Sequence, residues 1–67
     1  MVIMTNCITS VNTTAQTFEV NGVVVSYAGA RFDDGSAASL RVGVRVEVKG
    51  AAPVAGVLVA TEVDFDD

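Results

Sequence analysis

A chain of 67 residues with eight acidic and four basic side chains has a net charge of −4, and it contains no His and a single Cys. That composition excludes Cys–His and Ser–His nucleophilic chemistry, an internal disulfide and any zinc site that needs imidazole or several thiolates. The charge disfavours nucleic acid and anionic membrane as partners, and no apolar run approaches the roughly 20 residues of a membrane span.

Residues 1–67 read as one small β domain, near the size at which a single core stabilises a fold by only about 3–5 kcal/mol. From Val2 to Val11 the chain is apolar and β-branched, a strand rather than a lipoprotein leader, because it lacks a basic start and its apolar run is far shorter than about 7 residues. Cys7 reads as a small packed side chain. Ile8 and Val11 cannot both face inward under strict alternation, which predicts a bulge near Ser10. Gln16–Asn21 alternates, with Phe18 and Val20 inward, and Asn21-Gly22 predicts a tight hairpin turn into Val23–Tyr27.

Ala28–Ser39 carries no β pattern. It is expected to plug one end of the sheet, with a turn at Asp34-Gly35, a single helical turn after Ser36, and Phe32 and Leu40 as anchors. Leu40–Gly50 contains the clearest strand: Val44, Val46 and Val48 point inward and alternate with Arg45, Glu47 and Lys49, between Gly43 and Gly50. After the loop Ala51–Gly56, the last strand spans Val57–Phe65, with Val57, Val59, Thr61, Val63 and Phe65 predicted on one face. Five strands with a plug between the third and fourth predict an all-β, OB-like barrel whose closure removes exposed edges.

The segments Asn6-x-Ile8-Thr-Ser-Val11, Thr17-Phe-x-Val-Asn-Gly-Val23, Arg31-Phe-Asp-Asp-Gly35, Leu40-x-Val-Gly-x-Arg-Val-Glu-Val-x-Gly50 and Leu58-Val-Ala-Thr-x-Val63-x-Phe65 together resemble a bacterial family known only as a domain of unknown function. The resemblance implies an OB-like barrel, frequent tandem copies and export or a periplasmic location, and it carries over no catalytic residue. Asn6 stands where that family usually has Gly, and Val44 where an Asp commonly follows the glycine.

The candidate contact residues are Arg31, Asp33, Asp34, Arg41 and Arg45. Arg31 is expected to pair with the neighbouring aspartates, an exposed ion pair that stabilises by at most about 1 kcal/mol. Asp33 and Asp34 lack the acidic spacing of a calcium loop and the separation of an acid–base pair. Phe18, Tyr27, Phe32 and Phe65 are expected in the core rather than as base-stacking platforms. The residues point to a non-enzymatic binding module without cofactor or metal, its partner a protein, a tandem sister domain or a second copy; the alternative is an OB-type binder of oligonucleotide or small ligand.

Overall fold

The computed structural model describes residues 1–66, so the Asp67 end of the expected acidic tail lies outside the described residues. Six strands form: β1 Val2–Asn12, β2 Thr17–Val20, β3 Val23–Ser26, β4 Arg31–Asp33, β5 Arg45–Gly50 and β6 Val57–Phe65. A single 3-10 turn, Ala37–Ser39, precedes β5. No helix among the described residues is long and apolar enough to cross a membrane.

Five of the strands close a barrel. β1 is long enough to serve two neighbours, pairing antiparallel with β5 through Val2–Cys7 and with β2 through Ile8–Asn12. The change of partner coincides with a register shift between Ile8 and Ser10, the bulge that the spacing of Ile8 and Val11 demands. β2 turns into β3 through Asn21 and Gly22, both at positive φ (50° and 76°), as a two-residue hairpin of matching twist requires. β5 and β6 are antiparallel, and a parallel contact of Val24–Ser26 with Val57–Val59 closes the barrel.

Ile8, Phe18, Val20, Val25, Val46, Val48, Leu58 and Val63 are almost wholly inaccessible, with Tyr27, Leu40 and Ala60 around them. The β5 alternation therefore holds for Val46 and Val48, whereas Val44 at the strand entrance is half-buried. Phe18, Tyr27, Phe32 and Phe65 form a continuous aromatic array, with successive ring centroids 6.0, 5.9 and 6.1 Å apart. It runs from the barrel interior to its mouth: Phe18 and Tyr27 are buried, Phe32 and Phe65 half-buried.

Three expectations are corrected. The middle segment is not free of strand: Arg31–Asp33 pairs parallel with Glu62–Asp64 of β6, which lays Phe32 beside Val63 in register. The N-terminal half of β6 has the opposite phase, with Leu58 and Ala60 inward and Val57 and Val59 outward. Lys49 lies opposite Glu62 while Gly50 lies opposite Ala60, so Thr61 is one residue too many on β6 and inverts every side chain before it. Gly50 permits this close passage, since a Cβ there would strike the Val59 carbonyl oxygen and the Leu58 side chain. Cys7 is exposed rather than packed, because Ile8 takes the inward position at the bend of β1.

Candidate functional site

The barrel presents three surfaces on which chemistry or contact could be built. The first is the outer face of β5, β6 and β4, where cross-strand neighbours share a side of the sheet. Lys49, Glu62 and Arg31 form one row, and Glu47, Asp64 and Asp33 the next. Arg31 Nη2 donates to Glu62 Oε1 at 2.7 Å. Arg31 thus pairs across the sheet and not with Asp33 or Asp34, because residue 33 continues along its own strand while residue 62 lies directly opposite. Lys49 Nζ sits between three carboxylates, 3.6 Å from Glu62 Oε2, 3.7 Å from Asp64 Oδ2 and 3.8 Å from Glu47 Oε1.

Carboxylate oxygens of Asp33, Glu62 and Asp64 lie within 4.8 Å of one another. Crowding of this kind disfavours ionisation of all three carboxyls together. The hydrogen bond between the Asp64 and Glu62 carboxyls raises the Asp64 pKa, helped by burial and by the repulsion of Glu62, with Lys49 opposing. The same bond lowers the Glu62 pKa, with Lys49 and Arg31 adding to it against burial. The distance from Lys49 to Asp64, taken alone, favours an ionised Asp64; the buried Oδ1 of Asp64, which has no hydrogen-bond partner, favours the protonated form, and two carboxyls in contact cannot both ionise freely. Lys49 is held above its ordinary value, chiefly by Glu62.

These directions fix a pH dependence. A raised carboxyl contributes stability below its unfolded pKa and loses it as pH rises through the folded value, so Asp64 favours folding in acid. Glu62 does the reverse, contributing above its unfolded pKa and losing that contribution as pH falls. Lys49 contributes below its unfolded value of 10.5 and is constant across the carboxylate range. Asp64→Asn should therefore gain stability relative to the parent as pH rises from about 4 to 8. Urea midpoints across that range check it, and a variant that loses ground with rising pH would show an Asp64 held ionised by Lys49.

The second surface is an open cleft of about 760 Å³ at the barrel mouth, lined by Asp34, Ser39, Arg41, Gly43, Val44, Arg45, Phe65 and Asp66. It gathers Asp34, Arg41 and Arg45, whereas Arg31 and Asp33 belong to the β4–β6 network. Asp34 adopts a positive φ of 59° at the turn, which takes it away from Asp33. Arg45 Nε donates to Asp66 Oδ2 at 3.2 Å, both side chains exposed. Arg41 makes no ion pair among the described residues.

The third surface was missed by strand-by-strand reading, although the sequence carries its signal. Residues 1–18, 20–30 and 50–61 contain no charged side chain. The fold places these segments together as β1, β2, β3 and the first half of β6, so that the wall Ile8–Asn12, β2, β3 and Val57–Val59 carries Glu19 alone. Val57 and Val59 are exposed there through the β6 bulge, and Val54 at the loop tip is 76% exposed. Val54 is bridged to Val57 by reciprocal backbone hydrogen bonds of 2.8 and 3.0 Å, while half-buried Val24 lies in register with Val57.

No curated protein and no solved structure matches the chain. The family model described as "Domain of unknown function (DUF5666)" matches residues 7–64, which take in β2, β3, β4 and β5, the second half of β1 and all of β6 but Phe65; the chain belongs to that family.

Proposed function

We propose that this domain is a non-enzymatic, OB-like interaction module that uses its uncharged wall to contact another protein or a neighbouring domain. The observation that carries this reading is the segregation of charge: the wall that exposes Val57 and Val59, with Val54 at its edge, carries Glu19 alone, and the ion-pair rows lie on β4, β5 and the second half of β6. Clustered exposed apolar side chains bordered by polar surface mark contact sites on soluble domains, whereas single ones do not. Val57→Lys with Val59→Lys alters two exposed positions and leaves the core untouched. In an extract of the cells that make the protein, the parent should elute from gel filtration ahead of this double variant. Coincident elution would contradict the proposal.

A second reading, binding of oligonucleotide or a small ligand in the cleft, has one observation in its favour: Arg41 and Arg45 stand beside the half-buried ring of Phe65. The cleft's own Asp34 and Asp66 and the net charge oppose it. Titrating short single-stranded DNA and RNA at low salt, where phosphate contacts are strongest, should leave the amide resonances of Arg41, Val44, Arg45 and Phe65 in place. Saturable shifts at those residues would favour the cleft.

A further inference from the structure

We infer that the N-terminal half of β1 is a pairing edge, and that its occupant is the same edge of a second copy of this chain, the two strands running antiparallel about a twofold axis. The inference deepens the contact-module reading and rests on it.

The backbone directions follow from the register. Val2, Met4 and Asn6 lie opposite Gly50, Val48 and Val46, and the Ile8 N–H donates to the Val44 carbonyl at 2.8 Å. Even-numbered residues thus turn their N–H and C=O groups toward β5, and the same groups of Ile3, Thr5 and Cys7 point the other way. On that side β2 has already ended, at Val20 opposite Ile8. Among the described residues no strand pairs with the outer edge of Val2–Asn6. The Cys7 N–H is taken by the Asn6 side chain, Oδ1 at 2.8 Å, which ends the open stretch and leaves the groups of Ile3 and Thr5 as its bonding sites.

The side chains carry a second, independent sign of a missing neighbour. Val2 and Met4 occupy the core-facing row and pack against the core cluster, yet both remain half-exposed. Ile3, on the outer row, is 55% exposed. Edge strands are usually protected by charge, proline or a covering loop, and residues 1–18 contain neither a charged residue nor a proline. β4 also has an unpaired side, but it is three residues long and carries Arg31 and Asp33, so the uncharged half of β1 is where an added strand fits.

Two properties select a second copy as that strand. The hydrogen-bond pattern of an antiparallel pair is symmetric, so an edge of alternating free groups complements itself about a twofold. Centred on Met4, the pairing sets Ile3 against Thr5 of the partner subunit and Thr5 against Ile3 of the partner subunit, each pair exchanging both backbone bonds. A chain of net charge −4 also repels its copies over most of its surface, and β1 brings no charge into the contact.

Sedimentation velocity on the purified chain from roughly 10 µM to 1 mM tests the inference over the range expected for a short edge contact. The parent should shift from monomer toward dimer. Thr5→Pro removes a donor that faces away from β5, so the barrel should persist while the dimer is lost. Ile3→Lys, at an exposed position, sets like charges across the twofold and should also give a monomer; it decides the matter if the proline variant does not fold. A parent that stays monomeric overturns the inference, and so do variants that dimerise as the parent does. A dimer abolished by Val57→Lys with Val59→Lys but not by Ile3→Lys overturns the edge while leaving the uncharged-wall reading standing.

Discussion

Phe18→Ala should unfold most of the population at room temperature. Phe18 is 1% exposed, lies opposite Val11 and Val25 in the β1–β2–β3 ladder and stacks on Tyr27. Its loss removes the start of the aromatic array from a closed barrel that cannot collapse around the void. Truncating a buried Phe costs about 3–5 kcal/mol, which equals the roughly 3–5 kcal/mol that a core of this size supplies. Ile8→Val, one methylene smaller at an equally buried position, should cost only about 0.5–1.5 kcal/mol and remain folded. Denaturant midpoints for both, with amide dispersion by NMR, check the pair. A well-dispersed native spectrum for Phe18→Ala would mean that the barrel core is not centred on this ring.

Leu40→Ala should have the second largest effect. Leu40 is 7% exposed and its N–H closes the Ala37–Ser39 turn on the Ala37 carbonyl at 3.2 Å. It therefore both fills the core and holds the turn, which has no buried residue of its own and is too short to persist alone. The expected cost is about 2–5 kcal/mol. Phe32→Ala should cost less, because Phe32 is half-buried between Tyr27 and Phe65, and Asp34→Asn should stay within about 1 kcal/mol. Urea midpoints for the three should fall in that order. A Leu40→Ala protein as stable as the Asp34→Asn protein would place the turn outside the cooperative unit.

The barrel was legible in the sequence wherever one period or one turn decided the local structure. Alternation in β5, the Asn21-Gly22 turn and the impossible phase of Ile8 and Val11 each act within a few residues, and each holds. What escaped depends on pairing between distant segments. The bulge at Thr61 exists because β6 must pass Gly50 in a particular register, so extrapolating the phase of Val63 and Phe65 back to Val57 inverts that face. The β4 strap exists only because β6 offers Glu62–Asp64 to it, and Arg31-Phe32-Asp33 is too short to announce a strand. The five candidate contact residues divide between two surfaces for the same reason: Arg31 and Asp33 follow β4, whereas Asp34, Arg41 and Arg45 gather at the cleft. The uncharged wall was present in the sequence as three charge-free stretches, which become one surface only after the fold is known.

A concentration series of amide correlation spectra tests most directly whether the uncharged strands are the contact surface. On raising the protein from about 0.05 to 1 mM, the resonances of Val2–Cys7 should shift while those of Asp34, Arg41, Arg45 and Phe65 remain in place. Shifts confined to the cleft residues, or none anywhere up to the highest concentration, would contradict the account.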